Sequence, residues 1–389
     1  YIGIFIIMFS IISSGMVSVM TQNIGAGRPG VAYQARQLGL LFNAVAGVLM
    51  AVFLFSGAGA ILRMVGIADA LYEPALIYLK IVGGGCILNA VIPIFSSYLR
   101  AFGYTKQPLY ATIVGNIANF VMNAVFLFVL HKGVAGVAIA TVISKILNLC
   151  IVLYFSHKLI SAKNSTERIA NKTVLGQIVK VGLPSACETA LYNVAMMLVI
   201  RFLNQMDAEG LNVTARSYTA TISNFSYCVG AALAQANAIM TGWHIGAGEL
   251  EECDRGTKRA AFVGVCVAVC METAIVLGSG FIMPLFTDNP EMTALVRKLL
   301  AIDIVLEIGR VTNLVFGQAL KTSGDAVFPA VIAAVFMFVF AVGGTWLFGI
   351  SMGLMAVGAY IGLASDECVR AVGMVWRWKT GKWRTKKLV

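Results

Sequence analysis

The sequence predicts an all-α polytopic membrane protein: two parallel six-helix bundles, the first lacking its opening helix, so that eleven spans are present. Three observations carry this prediction. The 389 residues are 59% hydrophobic and 12% charged, with a mean hydropathy of +0.85, which excludes an ordinary soluble globule. The apolar residues gather into runs that suit a hydrocarbon layer about 30 Å thick, which takes about 20 helical residues to cross. Blocks of the first part of the chain also recur in the second at one constant offset.

Taken in order, the spans read 1–20, 38–62, 74–99, 108–130, 133–156, 175–203, 216–241, 260–285, 293–320, 326–348 and 352–375. The first opens on YIGIFIIMFSII, with no initial Met, no basic n-region and no small-residue cleavage site, so it does not read as a signal peptide. It reads as a fragment whose true start has been lost. In 74–99, Gly83-Gly84-Gly85, Asn89 and Pro93 either make the helix deformable or let its neighbours pack closely. Pro108 and Pro329 stand near the starts of their spans, where a missing N–H is tolerated. Phe102-Gly103-Tyr104 and Thr322-Ser323-Gly324-Asp325 before them read as tight turns. The polar interval from His157 to Asn171 separates the halves. The expected domains are an N-terminal lobe at 1–156, a cytoplasmic linker at 157–174, and a C-terminal lobe at 175–389 with a basic tail.

The repeat fixes the helix count. Ile24-Gly25-Ala26-Gly27 recurs as Ile245-Gly246-Ala247-Gly248, and Leu99, Gly103 and Pro108 map onto Leu320, Gly324 and Pro329, each at a shift of 221. Gly57-Ala58-Gly59-Ala60-Ile61 matches Gly278-Ser279-Gly280-Phe281-Ile282 at the same shift. Applied to 175–203, the shift places a partner helix before residue 1. The parent chain is therefore expected to hold twelve helices in two halves of the same orientation, and the shortened chain is expected to be inactive.

Orientation follows from Lys and Arg. Most of the 29 basic residues lie in one set of connections and in the tail, from Arg28, Arg36 and Arg100 through Lys158, Lys163 and Arg255 to Lys387. The alternate connections carry Asp69, Glu73, Asp207, Glu209, Asp288 and Glu291. The first set is expected to be cytoplasmic. This also accounts for the net charge of +11 without nucleic acid. The eight cysteines show no metal or disulfide spacing, and His131, His157 and His244 are far apart, so nothing suggests an enzyme, a metal centre or a cofactor.

Charge inside the spans is the functional signal. Asp303, Glu307 and Arg310 stand at i, i+4 and i+7 on one face of 293–320. A charge at bilayer mid-depth costs about 2.5–3.5 kcal/mol on insertion scales, so these groups need protein or water around them. They are read as a cation or proton site, with a structural Glu307–Arg310 pair as the alternative. Glu188, four residues after Pro184, is read as a second acid, able to pair with a cation or take a proton, or hydrogen-bonded to a neighbouring helix. Asn193, Asn204 and Gln205 are softer candidates on its helix. Glu272 either faces a cavity or bonds a neighbouring Ser or Thr. Asn116, Asn119 and Asn123 give 108–130 one amide face, expected to point into the first lobe. Asp366 and Glu367 with Arg370 are read as a structural ion cluster or gate.

These residues resemble the MATE family of multidrug and toxic-compound extrusion transporters. The matching pieces are Gln22-Asn23-Ile24-Gly25-Ala26-Gly27-Arg28, Leu99-Arg100-Ala101-Phe102-Gly103, Gly133 to Thr141, Gly182-Leu183-Pro184 with Glu188, and Glu307-Ile308-Gly309-Arg310. Gly324-Asp325 with Phe328-Pro329, Asp366-Glu367 with Arg370, and Arg377-Trp378…Gly381-Lys382-Trp383 complete an ordered set spanning nearly the whole chain. The resemblance implies two lobes forming a V around a central cavity, and export driven by inward movement of H⁺ or Na⁺. It implies a first-lobe cation site at Asn119, Asn123 and Thr141, completed by an acid from the missing first helix. Asn123 stands where the family often has Asp, which weakens Na⁺ binding and favours H⁺. In the second lobe it implies a membrane-embedded acid at Glu188, which with Asp303 and Glu307 is read as one acidic site, a possible Na⁺ position. The expected cargo is small organic cations, carried by a monomer in a bacterial-type cytoplasmic membrane. A lipid-linked sugar flippase of a related family is the alternative.

Overall fold

The computed structural model describes residues 2–65, 68–160, 167–207 and 210–389. Residues 161–166 of the expected linker, with Lys163, lie outside these, as do Glu209 and the first residue of span 1–20. Among the described residues there are helices and turns and no strand. The elements are α1 (Ile2–Gly25), α2 (Pro29–Val65), α3 (Asp69–Gly84), α4 (Cys86–Ala101), α5 (Lys106–Ala124) and α6 (Gly133–Leu159). They continue as α7 (Asn171–Met206), α8 (Leu211–Ala247), α9 (Leu250–Ile282), α10 (Pro290–Thr322), α11 (Val327–Phe336) and α12 (Met355–Lys379). Only Gly85 separates α3 from α4, at the triple glycine, and its N–H still bonds Ile81 O. The pair therefore counts as one of eleven helices, one per expected span. Several overrun the apolar runs that announced them, because a helix ends at its caps and not where hydrophobicity stops.

Among the described residues, seven helices are long and apolar enough to cross a membrane, namely α2, α3 with α4, α5, α6, α7, α9 and α11 with its wider-coiled extension. Polar residues lower the hydropathy of α8, α10 and α12, and many of them are buried. Asn212, Thr219, Ser223 and Ser226 are buried on α8, Asp303, Glu307 and Asn313 on α10, and Asp366, Glu367 and Arg370 on α12. Polar side chains turned inward in an apolar chain are a functional signal.

The repeat is structural. α3 and α10 begin, and α4 and α10 end, 221 residues apart, as do the starts of α2 and α9. Gly27 and Gly248 both close helices in the left-handed region, at φ 74° and 80°. Gly103 and Gly324 do so at 85° and 96°, with Tyr104 N bonding Leu99 O and Asp325 N bonding Leu320 O. These are the positions where a Cβ would be strained.

The chain divides into two compact units, 1–182 and 183–389, the division falling inside α7. In the second unit α10 is the hub, packing on α8, α9 and α12. Asn289 caps it, its Oδ1 accepting from Glu291 N at 2.8 Å and Met292 N at 3.2 Å. Two apolar clusters hold this unit together. Val296, Leu299, Leu300 and Leu306 contribute to one, and Val311, Val315, Phe316, Ala319 and Leu320 to the other. The turn from Glu307 to Arg310 separates them.

Candidate functional site

A cavity of about 330 Å³ lies within the second unit. α8 lines it with Arg216, Ala220, Ser223, Asn224 and Tyr227, whose spacing keeps them on one helical face. α10 adds Asp303, Leu306 and Arg310, α12 adds Tyr360, Leu363, Asp366 and Glu367, and α7 adds Tyr192 and Met196. Gly309 lets α12 approach α10, since a Cβ there would meet the Glu367 and Cys368 backbone at 2.7–2.8 Å. That approach brings the charges of two helices together.

Arg310 bonds Glu307 one turn away and faces Glu367 Oε1 at 3.8 Å. Its guanidinium also lies 5.7 Å from the centre of the Tyr227 ring. Arg370 binds both oxygens of Asp366, at 2.7 and 3.0 Å, and Glu367 Oε1 at 2.7 Å. Asn313 Nδ2 donates to Glu367 Oε2 at 3.0 Å. The expected Glu307–Arg310 pair is therefore present, as one member of a larger network. One oxygen of Asp303 and one of Glu307 remain buried without a hydrogen-bond partner. Glu272, 0% exposed on α9, faces Ser226, Asp303 and Glu307, and neither of its oxygens has a well-aligned partner. It lies behind the cavity wall, close to both acids.

Glu188 does not line this cavity, although it is close enough to Arg370 to act on its charge. It pairs with Lys321 Nζ at 2.7 Å, near the end of α10. Lys321 is 14 residues beyond Glu307, about 21 Å along a helix. Glu188 and Glu307 thus meet different basic partners on α10, Lys321 and Arg310. Among the described residues no three His, Cys, Asp or Glu side chains converge as a metal site. Asn193 is exposed and its amide returns to Thr189 O at 2.8 Å.

In the first unit, Asn123 Nδ2 donates to Asn119 Oδ1 at 3.1 Å, and Asn119 Nδ2 reaches Ser144 Oγ on α6 at 3.4 Å. Ser144 Oγ bonds Thr141 O, and Thr141 Oγ1 bonds Val137 O. These three expected residues thus share one polar seam. Asn116, on the same helical face, is exposed. At the 221 shift, Lys145 and Asn89, bonded at 2.6 Å, occupy the places of Asp366 and Arg310. The acidic network has no counterpart there.

Sequence reasoning missed the aromatic wall of Tyr192, Tyr227 and Tyr360, which carries no one-dimensional signal. It read Asp366 and Glu367 as an ion cluster, which they form with Arg370, without placing them on a cavity. Arg216 did offer a signal, being basic at the end where acidic connections prevail.

The MatE family model matches residues 2–125 and 184–347. The chain is 31% identical over 391 residues to the "Uncharacterized transporter YisQ" of Bacillus subtilis strain 168, covering 99% of this chain and 86% of that one. It is 20% identical to the "Probable multidrug resistance protein NorM" of Thermotoga maritima, over 80% of this chain and 68% of that one. A crystal structure of MATE in the straight conformation superposes with a TM-score of 0.86 at 20% identity, covering 98% of this chain and 86% of the other. The acid-lined cavity thus belongs to a transporter and not to an enzyme. The chain is a member of the MATE family of membrane transporters.

Proposed function

We propose that the protein exports small organic cations across a bacterial-type cytoplasmic membrane in exchange for an inward-moving cation, with H⁺ favoured over Na⁺. One observation carries this reading: buried carboxyl oxygens of Asp303, Glu307 and Glu272 lack hydrogen-bond partners beside a cavity walled by tyrosines. Five carboxyl groups, on Glu272, Asp303, Glu307, Asp366 and Glu367, meet three guanidiniums, on Arg216, Arg310 and Arg370. A buried charge must be paired or neutralised. The surplus acids therefore hold either a cationic cargo or the coupling ion, at each other's expense.

In this mechanism Asp303 receives the cargo's cationic group while Tyr192, Tyr227 and Tyr360 hold its apolar body. Protonation from outside neutralises Asp303 and releases the cargo, and the emptied carrier returns by alternating access. Among the described residues no three His, Cys, Asp or Glu side chains converge on a hard cation, which favours protons. In this reading the protein works as a monomer, with the linker and tail in the cytoplasm. The acidic interior disfavours the pyrophosphate cargo of a flippase.

Reconstitution of the full-length protein in liposomes, with a proton or sodium gradient imposed separately, tests the proposal, using a fluorescent planar organic cation. Gradient-driven accumulation is expected from the wild type, falling at least tenfold in Asp303→Asn. Undiminished transport by that variant, or transport indifferent to both gradients, overturns it.

A further inference from the structure

A second cavity, of about 250 Å³, lies in the first unit where α2 begins and α6 ends. Its polar lining is Tyr33, Arg36, Ser156 and His157, with Phe95 among its apolar walls and no acid. The Arg36 guanidinium lies 4.4 Å from the Tyr33 ring centre, 4.9 Å from Tyr98 and 5.4 Å from Phe95. Three rings thus hold a cation for which the described residues supply no carboxylate. Arg36 Nε is buried without a hydrogen-bond partner. Ser156 is 3% exposed, and its Oγ is likewise buried and unpartnered.

The internal repeat fills the corresponding place differently. At the 221 shift Tyr33, Phe95 and His157 correspond to Asp254, Phe316 and Trp378. There Trp378 stacks on Trp383 at 4.1 Å, meets Phe316 edge-on and donates from Nε1 to Asp254 at 2.7 Å. Around these three positions the second unit thus places a stacked pair of indoles and a bonded Asp254. In the first unit the counterpart of Trp383 is Ala162, which lies outside the described residues and has no ring to offer.

We infer that the Arg36 pocket binds a phosphate-bearing anion. A guanidinium edge offers paired N–H donors matched to phosphate oxygens, and the stacked rings hold its plane while leaving that edge free. Ser156 and His157 supply further donors. The pocket lies at the helix ends that the Lys and Arg distribution assigns to the cytoplasm, so the anion is a phospholipid headgroup or a soluble phosphate.

The test compares wild type, Arg36→Gln, Arg36→Lys and the exposed control Lys158→Gln, purified in a zwitterionic detergent. Thermal shift and native mass spectrometry follow binding of phosphatidylglycerol, phosphatidylcholine and inorganic phosphate. Wild type is expected to bind phosphatidylglycerol in preference to phosphatidylcholine, or inorganic phosphate at millimolar concentration. The first result assigns the lipid and the second the soluble anion. Arg36→Gln is expected to weaken that binding roughly tenfold or more, the scale of a lost charge-assisted hydrogen bond. Lys158→Gln should stay within twofold. If Arg36→Gln does not fold, Arg36→Lys decides, since it keeps the charge and loses the fork. Binding of neither anion, or wild-type affinity in the folded Arg36 variant, overturns the inference.

Discussion

Asp303 and Glu188 are both acids in apolar helices, yet their partners differ. Asp303 keeps an unpartnered oxygen beside a cavity, whereas Glu188 is matched to Lys321. Glu188→Gln leaves the ammonium of Lys321 without its counter-charge in a buried setting. We expect this variant to insert but lose gradient-driven transport, and Glu188→Gln with Lys321→Gln to regain thermal stability. Wild-type rates from the single variant remove Glu188 from the mechanism. Asp207, between α7 and α8, acts at the water boundary. Its Oδ1 accepts from Leu211 N and its Oδ2 from Asn212 N, each at 2.9 Å, with the Asn212 amide as a further donor. Burial pushes its carboxyl up, but these hydrogen bonds outweigh that and hold it below the usual carboxylate range. A depressed folded-state value stabilises above the unfolded pKa and is lost as pH falls through the folded one. Asp207→Ala should therefore cost about 1 kcal/mol at pH 7, as lost caps do. In thermal melts the gap should close on acidification below the ordinary aspartate range. An equal gap at both pH values refutes this role.

At the scale of elements, the α10–α12 seam decides whether a site exists. Gly309 admits the α12 backbone to within the space a methyl group would take. Gly309→Ala pushes the helices apart and carries Glu367 away from Arg310 and Asn313. Overpacking of this kind costs about 1–3 kcal/mol. A lower melting temperature in detergent and weaker cation binding should appear together. Unchanged binding with a lowered melting temperature would separate the seam from the site.

At the scale of the molecule, one repeat has yielded two chemically different units. The second concentrates carboxylates on α9, α10 and α12, while the first has Lys145 bonded to Asn89 and a seam of Asn119, Asn123 and Ser144. Under the proposed function, ion coupling is expected in the second unit. Asn123→Ala should slow transport less than tenfold and leave its dependence on the proton gradient intact. Asp303→Asn should remove that dependence. A reversal of these two results, read in the same liposomes, would move the coupling site to the first unit.

The helical class, the order of the helices and the repeat were legible in the residues, because each rests on short-range chemistry. Apolar runs call for helices, glycines at Gly27, Gly103, Gly248 and Gly324 permit left-handed closures, and a duplicated pattern keeps its offset. The face shared by Asp303, Glu307 and Arg310 followed from helical periodicity alone. Which distant faces meet did not. Only tertiary packing brings Glu367 to Arg310 beside Gly309, turns Glu272 toward the same acids and pairs Glu188 with Lys321. Those pairings depend on the depth and rotation of separate helices, which no spacing within one helix can specify.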